Sequence, residues 1–357
     1  MRSEDDAIVR SPTISSDILE AIGRTPLLQL RRVVPAGSAR VVAKLEFENP
    51  TGSMKDRVAK AMVEAAEKDG RLPAGGTVVE YTAGTTGISL ALVCAAKGYR
   101  LRIVYSDAFS EEKRRTMEVF GATISDVKSD RHRITEALIR EMVETARRLS
   151  RRPGHWFCDQ LSNHDGMAGY ASMGEEIWTQ TDGQVDAFVH AVGTAHSIHG
   201  VTEALRRHRR GIRVIAVEPA ESAVLSGRPT GAHRIEGIGI GYRPPLWNPD
   251  LVDEIRTVST EAAYAMARRL AREEGLFVGG SSGANVVAAL EVAKQLGPRA
   301  TVVTIMVDSG LRYLSTPLYH PGGPGERLAL PLRASRSRAS RTAVVSVRGA
   351  RSLPVSR

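Results

Sequence analysis

Short apolar runs rich in β-branched residues alternate with helical stretches that end at glycine, from about residue 18 to residue 319. Residues 78–81 are typical of a strand, and residues 88–97 are typical of a helix that Gly98 ends. Residues 301–307 form a nearly continuous apolar run, as expected of a strand buried on both faces. The alternation therefore predicts an α/β fold with parallel-rich sheets flanked by helices.

Composition argues against several classes of protein. The chain has no run of about 18 apolar residues, which argues against a membrane span. Cys94 and Cys158 are its only cysteines, too few for a disulfide framework or a cysteine-rich metal site, and they favour a reducing cytoplasm. The acidic residues near the start, without an apolar core, are not typical of a signal peptide.

The net charge of +9 is concentrated toward the C-terminal end. Residues 327–357 carry eight Arg and neither Asp nor Glu, so the rest of the chain is nearly neutral. Residues 326–357 are therefore predicted to be a basic disordered tail, and residues 1–17 a flexible N-terminus. We favour a solvated tail over a segment that binds nucleic acid or another anionic partner, because the rest of the chain carries almost no net positive charge.

A lysine follows a turn in the segment NPTGSMKDR, residues 49–57. Pro50 and Gly52 favour the turn, and apolar residues then recur at helical spacing until Gly70. Lys55 is therefore predicted at a helix start, where the dipole lowers its pKa and favours the neutral amine that Schiff-base chemistry requires. Alone this pattern is weak evidence, because a Lys beside an Asp on an amphipathic helix is most often a surface residue.

Two strand-to-helix turns are rich in small and hydroxyl residues: TAGTTG at residues 82–87 and GTAHSIHG at residues 193–200. Free amides at a helix N-terminus, together with hydroxyls, form anion sites. The first turn suits a substrate carboxylate, although a plain tight turn explains it equally well, and the second suits a phosphate. Neither matches a dinucleotide or ATP motif. His196 and His199 have no third ligand at a recognisable spacing, so no metal site is predicted.

Two further segments are rich in glycine. Residues 278–284 open another helix and place Ser281 near its start, and residues 237–241 alternate Gly with Ile. The alternation indicates a loop from which side chains are excluded by a neighbouring group. A lysine after a turn, two anion sites and a serine at a fourth helix start are together far more specific than any one of them.

The order and spacing of these motifs resemble the cysteine synthase and cystathionine β-synthase family of pyridoxal-phosphate (PLP) enzymes, of fold type II. The similarity extends from IGRTPL at residues 22–27 to DSGLRYLST at residues 308–316. The resemblance implies a two-lobed fold like that of tryptophan synthase β, with PLP held on Lys55 as an internal aldimine. It also implies a cytoplasmic homodimer that acts on a small amino-acid substrate.

The boundary between the lobes is suggested by the Arg, Pro and Gly residues near 150–157, and the site residues follow from the resemblance. A larger cofactor-binding lobe is expected at residues 18–44 and 156–320, and a smaller mobile lobe at residues 45–155. The cofactor is implied to contact Lys55, Thr85, Gly193, Thr194, Ala195, His196, Ser197 and Ser281. The substrate is implied to contact Thr82, Ala83, Thr85, Thr86, Gln160 and Gly237.

This chain departs from the family pattern in both anion loops. The family usually has Thr-Ser-Gly-Asn-Thr-Gly at the carboxylate turn, where this chain has Ala83 and Thr85 in place of Ser and Asn. At the phosphate turn, Ala195, His196 and Ser197 stand where the family usually has Gly-Gly-Thr. Three amides and two hydroxyls remain there, and His196 either adds a side-chain donor or crowds the loop.

By resemblance, the Ser281 hydroxyl faces the pyridine nitrogen of the cofactor. A hydroxyl, unlike a carboxylate, does not keep that nitrogen protonated, so elimination of a β-substituent is favoured over transamination, with Lys55 as the Cα base. The resulting aminoacrylate accepts a nucleophile, which predicts cysteine synthase-like β-replacement on an O-activated L-serine, such as O-acetylserine, with sulfide. The alternatives are a β-eliminating lyase (a cysteine desulfhydrase or a serine/threonine dehydratase) and a degenerate, non-catalytic member.

Overall fold

The computed structural model describes residues 14–131 and 135–320, apart from the side chain of Glu136. The predicted basic tail, and the predicted flexible N-terminus up to residue 13, lie outside the described residues. The described strands are β1 Leu27–Gln29, β2 Arg40–Leu45, β3 Thr77–Tyr81, β4 Arg100–Ser106, β5 Thr123–Val127, β6 His155–Phe157, β7 Ala187–Ala191, β8 Arg213–Pro219, β9 Glu254–Val258 and β10 Thr301–Met306. The main helices are α1 Lys55–Lys68, α2 Thr85–Lys97, α3 Glu111–Val119, α4 Glu136–Ser150, α5 Gly166–Gln180, α6 His196–His208, α7 Thr260–Arg269 and α8 Gly280–Leu296.

The strands form two sheets. The larger sheet has the order β1-β2-β10-β7-β8-β9, and every neighbouring pair in it is parallel except β1 with β2. The smaller sheet has the order β5-β4-β3-β6 and is wholly parallel. The predicted α/β fold with parallel-rich sheets is therefore confirmed.

Strand β6 marks one difference from the sequence-based lobe boundary. Trp156 and Phe157 pair with Val78 and Val79 of β3, so the smaller sheet extends two residues beyond residue 155. The Arg, Pro and Gly residues that suggested a boundary belong to the turn before β6, and the strand that follows still completes the smaller sheet.

Local sequence explains the main elements. All residues of β7 and β10 are buried, as expected for central strands covered by helices on both faces. Helix α2 ends at Gly98 in a left-handed conformation, and Ser110 accepts the Lys113 N–H to cap α3. Among the described helices, none has the length and apolar composition that a membrane span requires.

The connections place the predicted motifs at one edge of each sheet. Helix α2 begins four residues after β3 ends, and α6 begins five residues after β7 ends. Carboxyl ends of parallel strands share one edge of a sheet, and ligands of open α/β folds bind at that edge. The N-termini of α2 and α6 therefore lie at the carboxyl edges of their sheets, and the space beside these edges is called the cleft below.

Candidate active site

Helix α1 begins at Lys55, as the turn before it predicts. The Asp56 carboxylate holds that turn, because it accepts the Thr51 N–H at 2.8 Å and the Ser89 hydroxyl at 2.6 Å. Backbone bonds also join this segment to the chain after β10: the Met54 N–H donates to the Val307 carbonyl at 2.9 Å. The start of α1 is thus fixed against the carboxyl end of β10.

The Lys55 side chain is partly exposed to the cleft, yet surrounding protein removes most of its water. Desolvation lowers the pKa of Lys55 to about 8, and the nearby Asp308 carboxylate opposes this shift. Asp308 is buried, accepts the Tyr313 hydroxyl at 2.7 Å through Oδ2, and has no hydrogen-bond partner for Oδ1 among the described residues. A substantial fraction of Lys55 is therefore a neutral amine near neutral pH.

Residues 82–87, the carboxylate loop, take the predicted place between β3 and α2. Thr82 and Thr86 are buried, Thr85 is half-buried and Ala83 is exposed. The Thr86 hydroxyl donates to Gln160 Oε1 at 2.6 Å, and the Gln160 amide donates to the Tyr81 carbonyl at 3.0 Å. The structure thus brings together Thr86 and Gln160, which lie 74 residues apart in sequence.

Lys113 of α3 packs directly against the carboxylate loop. A Cβ added to Gly84 would lie 2.4 Å from Lys113 Cδ, so only glycine allows the lysine stem this close. The Lys113 ammonium lies 5.5 Å from the Tyr313 ring centroid and forms an ion pair with Glu236, which directly precedes the glycine-alternating loop. The carboxylate loop is therefore connected to the segment beside Gly237 by one side chain.

Residues 193–197, the phosphate loop, lead from β7 into α6. Ala195 takes a left-handed conformation with φ of 73°, and α6 begins at the next residue. A Cβ added to Gly193 would lie 2.3 Å from the Gly237 carbonyl oxygen, so the phosphate loop and the glycine-alternating loop touch through their backbones. This close approach explains the glycine at position 193, whereas Gly237 has a φ of 85°, a backbone conformation that favours glycine.

The His196 ring lies within the protein rather than free in the cleft. Its Nδ1 is 2.8 Å from the Thr194 hydroxyl, and its Nε2 is 2.7 Å from the Asn163 carbonyl. Burial lowers the pKa of His196 to about 4, so the ring is neutral. His196 therefore links the phosphate loop to the segment 158–163 that carries Gln160, a role that the family pattern does not indicate.

Ser281 is the second residue of α8 and is buried. The chain beside α8 is joined to the Lys55 segment through two isolated bridges, Val278 with Ser309 and Ser53 with Asp308. The start of α8, the end of β10 and the start of α1 are thus parts of one connected wall. Backbone contacts thus join the Lys55 segment to the start of α8, and the phosphate loop to the glycine-alternating loop.

Sequence reasoning missed four side chains that organise this site: His190, Asn285, Asp308 and Lys113. Two of them carried a signal, because His190 is a polar residue in the buried strand β7 and Asn285 is a polar residue in the buried part of α8. Buried polar side chains are nearly always hydrogen-bonded, so each required a partner. Neither partner was visible from the sequence.

Comparison with known proteins gives consistent matches. Residues 18–308 match the family model described as pyridoxal-phosphate dependent enzyme. A cysteine synthase of Staphylococcus aureus is 40% identical over 305 residues, which cover 85% of this chain and 96% of that protein.

Solved structures agree with the sequence matches. An O-acetyl serine sulfhydrylase (isoform 3) from Entamoeba histolytica has a TM-score of 0.81 at 40% identity, over 88% of this chain and 94% of that one. An O-acetylserine dependent cystathionine β-synthase from Helicobacter pylori has a TM-score of 0.80 at 33% identity, over 86% of this chain and 99% of that one. Because the family model covers most of the chain and the similar proteins are 33–40% identical over most of its length, this chain is a member of the cysteine synthase and cystathionine β-synthase family of PLP-dependent enzymes.

Proposed function

We propose that this protein catalyses β-replacement on an O-activated L-serine, such as O-acetylserine, with sulfide, to form cysteine. One observation carries the proposal: the Lys55 amine has a lowered pKa and lies close enough to His196 of the phosphate loop to lower the pKa of that ring. The names of the relatives support the choice of donor, since two of the similar proteins are designated by O-acetylserine.

The residues of the cleft fit PLP. A phosphate needs a concave backbone with free amides, and the left-handed Ala195 directly before α6 provides that turn. The Ser197 hydroxyl lies in the first turn of α6, and Lys55 supplies the primary amine that an aldehyde requires. The residues proposed to hold PLP are Lys55, Thr85, Gly193, Thr194, Ala195, His196, Ser197 and Ser281.

PLP, when bound, supplies an electron sink for the charge that develops at Cα of the substrate. The Lys55 amine accepts and holds the Cα proton, because desolvation makes its neutral form accessible near pH 7. Ser281 presents a neutral hydroxyl rather than a carboxylate at the start of α8. A neutral partner favours loss of a β-substituent over transamination.

The carboxylate loop is proposed to bind the substrate through Thr82, Ala83, Thr85 and Thr86, with Gln160 and Gly237 beside it. Thr86 already donates to Gln160, so these two side chains orient each other before substrate arrives. The first amides of α2 then remain as donors to a carboxylate, in the favourable field of the helix N-terminus.

The test is direct measurement of cysteine formed from O-acetylserine and sulfide by the purified PLP-loaded protein. We expect steady turnover that falls by about a thousandfold or more in Lys55→Ala, which also loses its visible absorbance band, because the amine is both anchor and base. Lys68→Ala, an exposed lysine at the other end of the same helix, is the matched control and should keep full activity. Release of pyruvate instead of cysteine with excess sulfide present would overturn the proposal.

We further propose that the protein acts as a cytoplasmic homodimer. The support is the analogy with the family and two buried, unpaired cysteines, Cys94 and Cys158, which suit a reducing compartment. Light scattering of the purified protein tests the dimer, and a monomer at micromolar concentration would contradict it.

A further inference from the structure

His190 is a buried imidazole in β7 that the proposed reaction does not use. It is 1% exposed, and the Phe188 ring lies 5.9 Å away, centroid to centroid. Burial lowers the pKa of His190 to about 3, and the nearby Lys55 acts in the same direction. The ring is therefore neutral, so one of its nitrogens donates a hydrogen bond and the other accepts one.

Asn285 determines which ring nitrogen of His190 carries the hydrogen and which accepts one. Its Oδ1 accepts the Ala191 N–H at 2.7 Å, and its Nδ2 donates to the Ile305 carbonyl at 2.8 Å. Both partners are backbone groups of fixed polarity, so the amide has only one possible orientation. The same Nδ2 lies 3.3 Å from His190 Nδ1, which must therefore be the acceptor. The ring hydrogen of His190 is then on Nε2.

The consequence reaches the phosphate loop. His190 Nε2 lies 2.7 Å from the Ser197 hydroxyl oxygen and donates to it. A hydroxyl that accepts one bond keeps its own hydrogen for another partner. No acceptor for that hydrogen lies among the described residues, although Ser197 is only 6% exposed. The Ser197 hydroxyl is thus a donor held in a fixed position at the start of α6.

Thr194, the other hydroxyl residue of the phosphate loop, donates its hydroxyl hydrogen within the protein instead of keeping it for a ligand. His196 Nε2 faces the Asn163 carbonyl, which only accepts, so the ring hydrogen is on Nε2 and Nδ1 is the acceptor. Thr194 donates its hydroxyl hydrogen to that Nδ1 at 2.8 Å. The Thr194 hydrogen is therefore engaged within the protein, and only the Ser197 hydrogen is available to an anion.

We propose that His190 is a positioning residue, which with Asn285 orients the Ser197 hydroxyl as the side-chain hydrogen-bond donor to the cofactor phosphate. The Thr194 hydroxyl instead stabilises the loop through His196. This inference rests on the proposed function, since it takes the phosphate loop as the site of the PLP phosphate. The inference gives the Thr194 and Ser197 hydroxyls different roles, a difference that the family pattern does not indicate.

The test compares the affinity of the apo protein for PLP and for pyridoxal, which has the aldehyde but lacks the phosphate. Ser197→Ala should weaken PLP binding by about tenfold or more and leave pyridoxal binding unchanged, because a charge-assisted hydrogen bond is lost. Thr202→Val removes a buried α6 hydroxyl that has no hydrogen-bond partner among the described residues, so this matched control should change the ratio of the two affinities by less than about twofold. Thr194→Val should change the ratio less than Ser197→Ala does, because the Thr194 hydroxyl acts on the phosphate only through the loop.

His190→Leu should weaken PLP binding selectively, by about threefold to tenfold, since the hydroxyl remains but loses its orientation. On the Ser197→Ala background the same change should have no further effect on the affinity ratio. Additive effects, or equal losses for PLP and pyridoxal, would show a merely structural role and overturn the inference. If neither Ser197→Ala nor Thr194→Val alters the ratio, the phosphate loop does not bind the phosphate of PLP, and the proposed cofactor site is wrong.

A second measurement needs no variant that perturbs β7. In wild-type protein labelled with ¹⁵N-histidine, we expect His190 and His196 to be neutral with the hydrogen on Nε2. The spectrum of His196→Gln helps to assign the two rings. A His190 hydrogen on Nδ1 would reverse the direction of the chain from Asn285 to Ser197 and overturn the inference.

Discussion

The phosphate loop and the carboxylate loop each lie between a parallel strand and a helix, but they are stabilised differently. In the phosphate loop the side chains of His196 and Ser197 are buried and bonded to neighbours within the larger sheet or the segment beside Gln160. In the carboxylate loop Ala83 is exposed, and Lys113 covers Gly84 from a neighbouring helix.

Because of this difference, the unusual residues of the two loops are expected to have different consequences for ligand binding. The unusual residues of the phosphate loop have replacement partners inside the protein, so cofactor binding is expected to persist. The unusual residues of the carboxylate loop, Ala83 and Thr85, are exposed or half-buried, and their side chains have no hydrogen-bond partner in the part of the chain that the structure describes. We therefore expect the phosphate loop to determine cofactor affinity and the carboxylate loop to determine KM for the amino-acid substrate.

The largest effect we expect concerns Lys55, which lies close enough to His196 of the phosphate loop to lower the pKa of that ring. Because desolvation lowers the pKa of Lys55 to about 8, the neutral amine becomes about tenfold scarcer for each pH unit below that value. The rate at which PLP attaches to the apo protein should therefore rise by about fiftyfold from pH 6 to pH 8, by about twofold more above pH 8, and become constant above about pH 9. Stopped-flow absorbance at a series of pH values measures it.

The reaction of PLP with a free lysine derivative in the same buffers corrects for the titration of PLP itself. An ordinary lysine has a pKa near 10.4, so its rate should keep rising up to that pH. If the corrected rate for the protein also rises steadily to pH 10, Lys55 is exposed to water, and the carboxylate loop does not enclose it.

Lys113 provides the next test, with a smaller expected effect. Lys113→Met keeps the stem against Gly84 but removes the ion pair with Glu236. The carboxylate loop then loses its connection to the segment beside Gly237, and KM for O-acetylserine should rise by about tenfold with little change in PLP affinity. Steady-state kinetics and PLP titration of the same preparation measure both quantities.

Glu236→Gln is the matched partner variant, because it removes the charge and retains the shape. The two substitutions disrupt one interaction, so the double variant should have a KM close to that of Lys113→Met alone. An unchanged KM in both single variants would mean that the carboxylate loop needs no support from α3.

The sequence predicts much of this molecule because its signals are local. The start of α1 at Lys55, the cap at Ser110 and the left-handed end of α2 at Gly98 depend on neighbouring residues only, and all are found. The side-chain partners of the site are different. Asn285 meets His190 across 95 residues, and Lys113 meets Glu236 across 123.

Those partners could not be inferred from spacing, because they depend on the order of strands in the larger sheet. Strand β10 lies between β2 and β7, so segments far apart in the chain become neighbours. A polar residue in a buried strand indicates that its side chain has a hydrogen-bond partner, but it does not identify that partner. The role of His190 was therefore hidden until the sheet order was known.

Ala83→Ser gives the smallest and most selective test of the difference between the loops. The added hydroxyl would stand on the exposed side of the carboxylate loop, where the family usually has Ser and this chain has no side-chain donor. One hydrogen bond to a substrate carboxylate should lower KM for O-acetylserine by about threefold to tenfold and leave PLP affinity unchanged. A change in PLP affinity without a change in KM would show that the two loops do not divide cofactor and substrate binding between them. A lower KM with unchanged PLP affinity would show that the carboxylate loop acts on substrate binding alone.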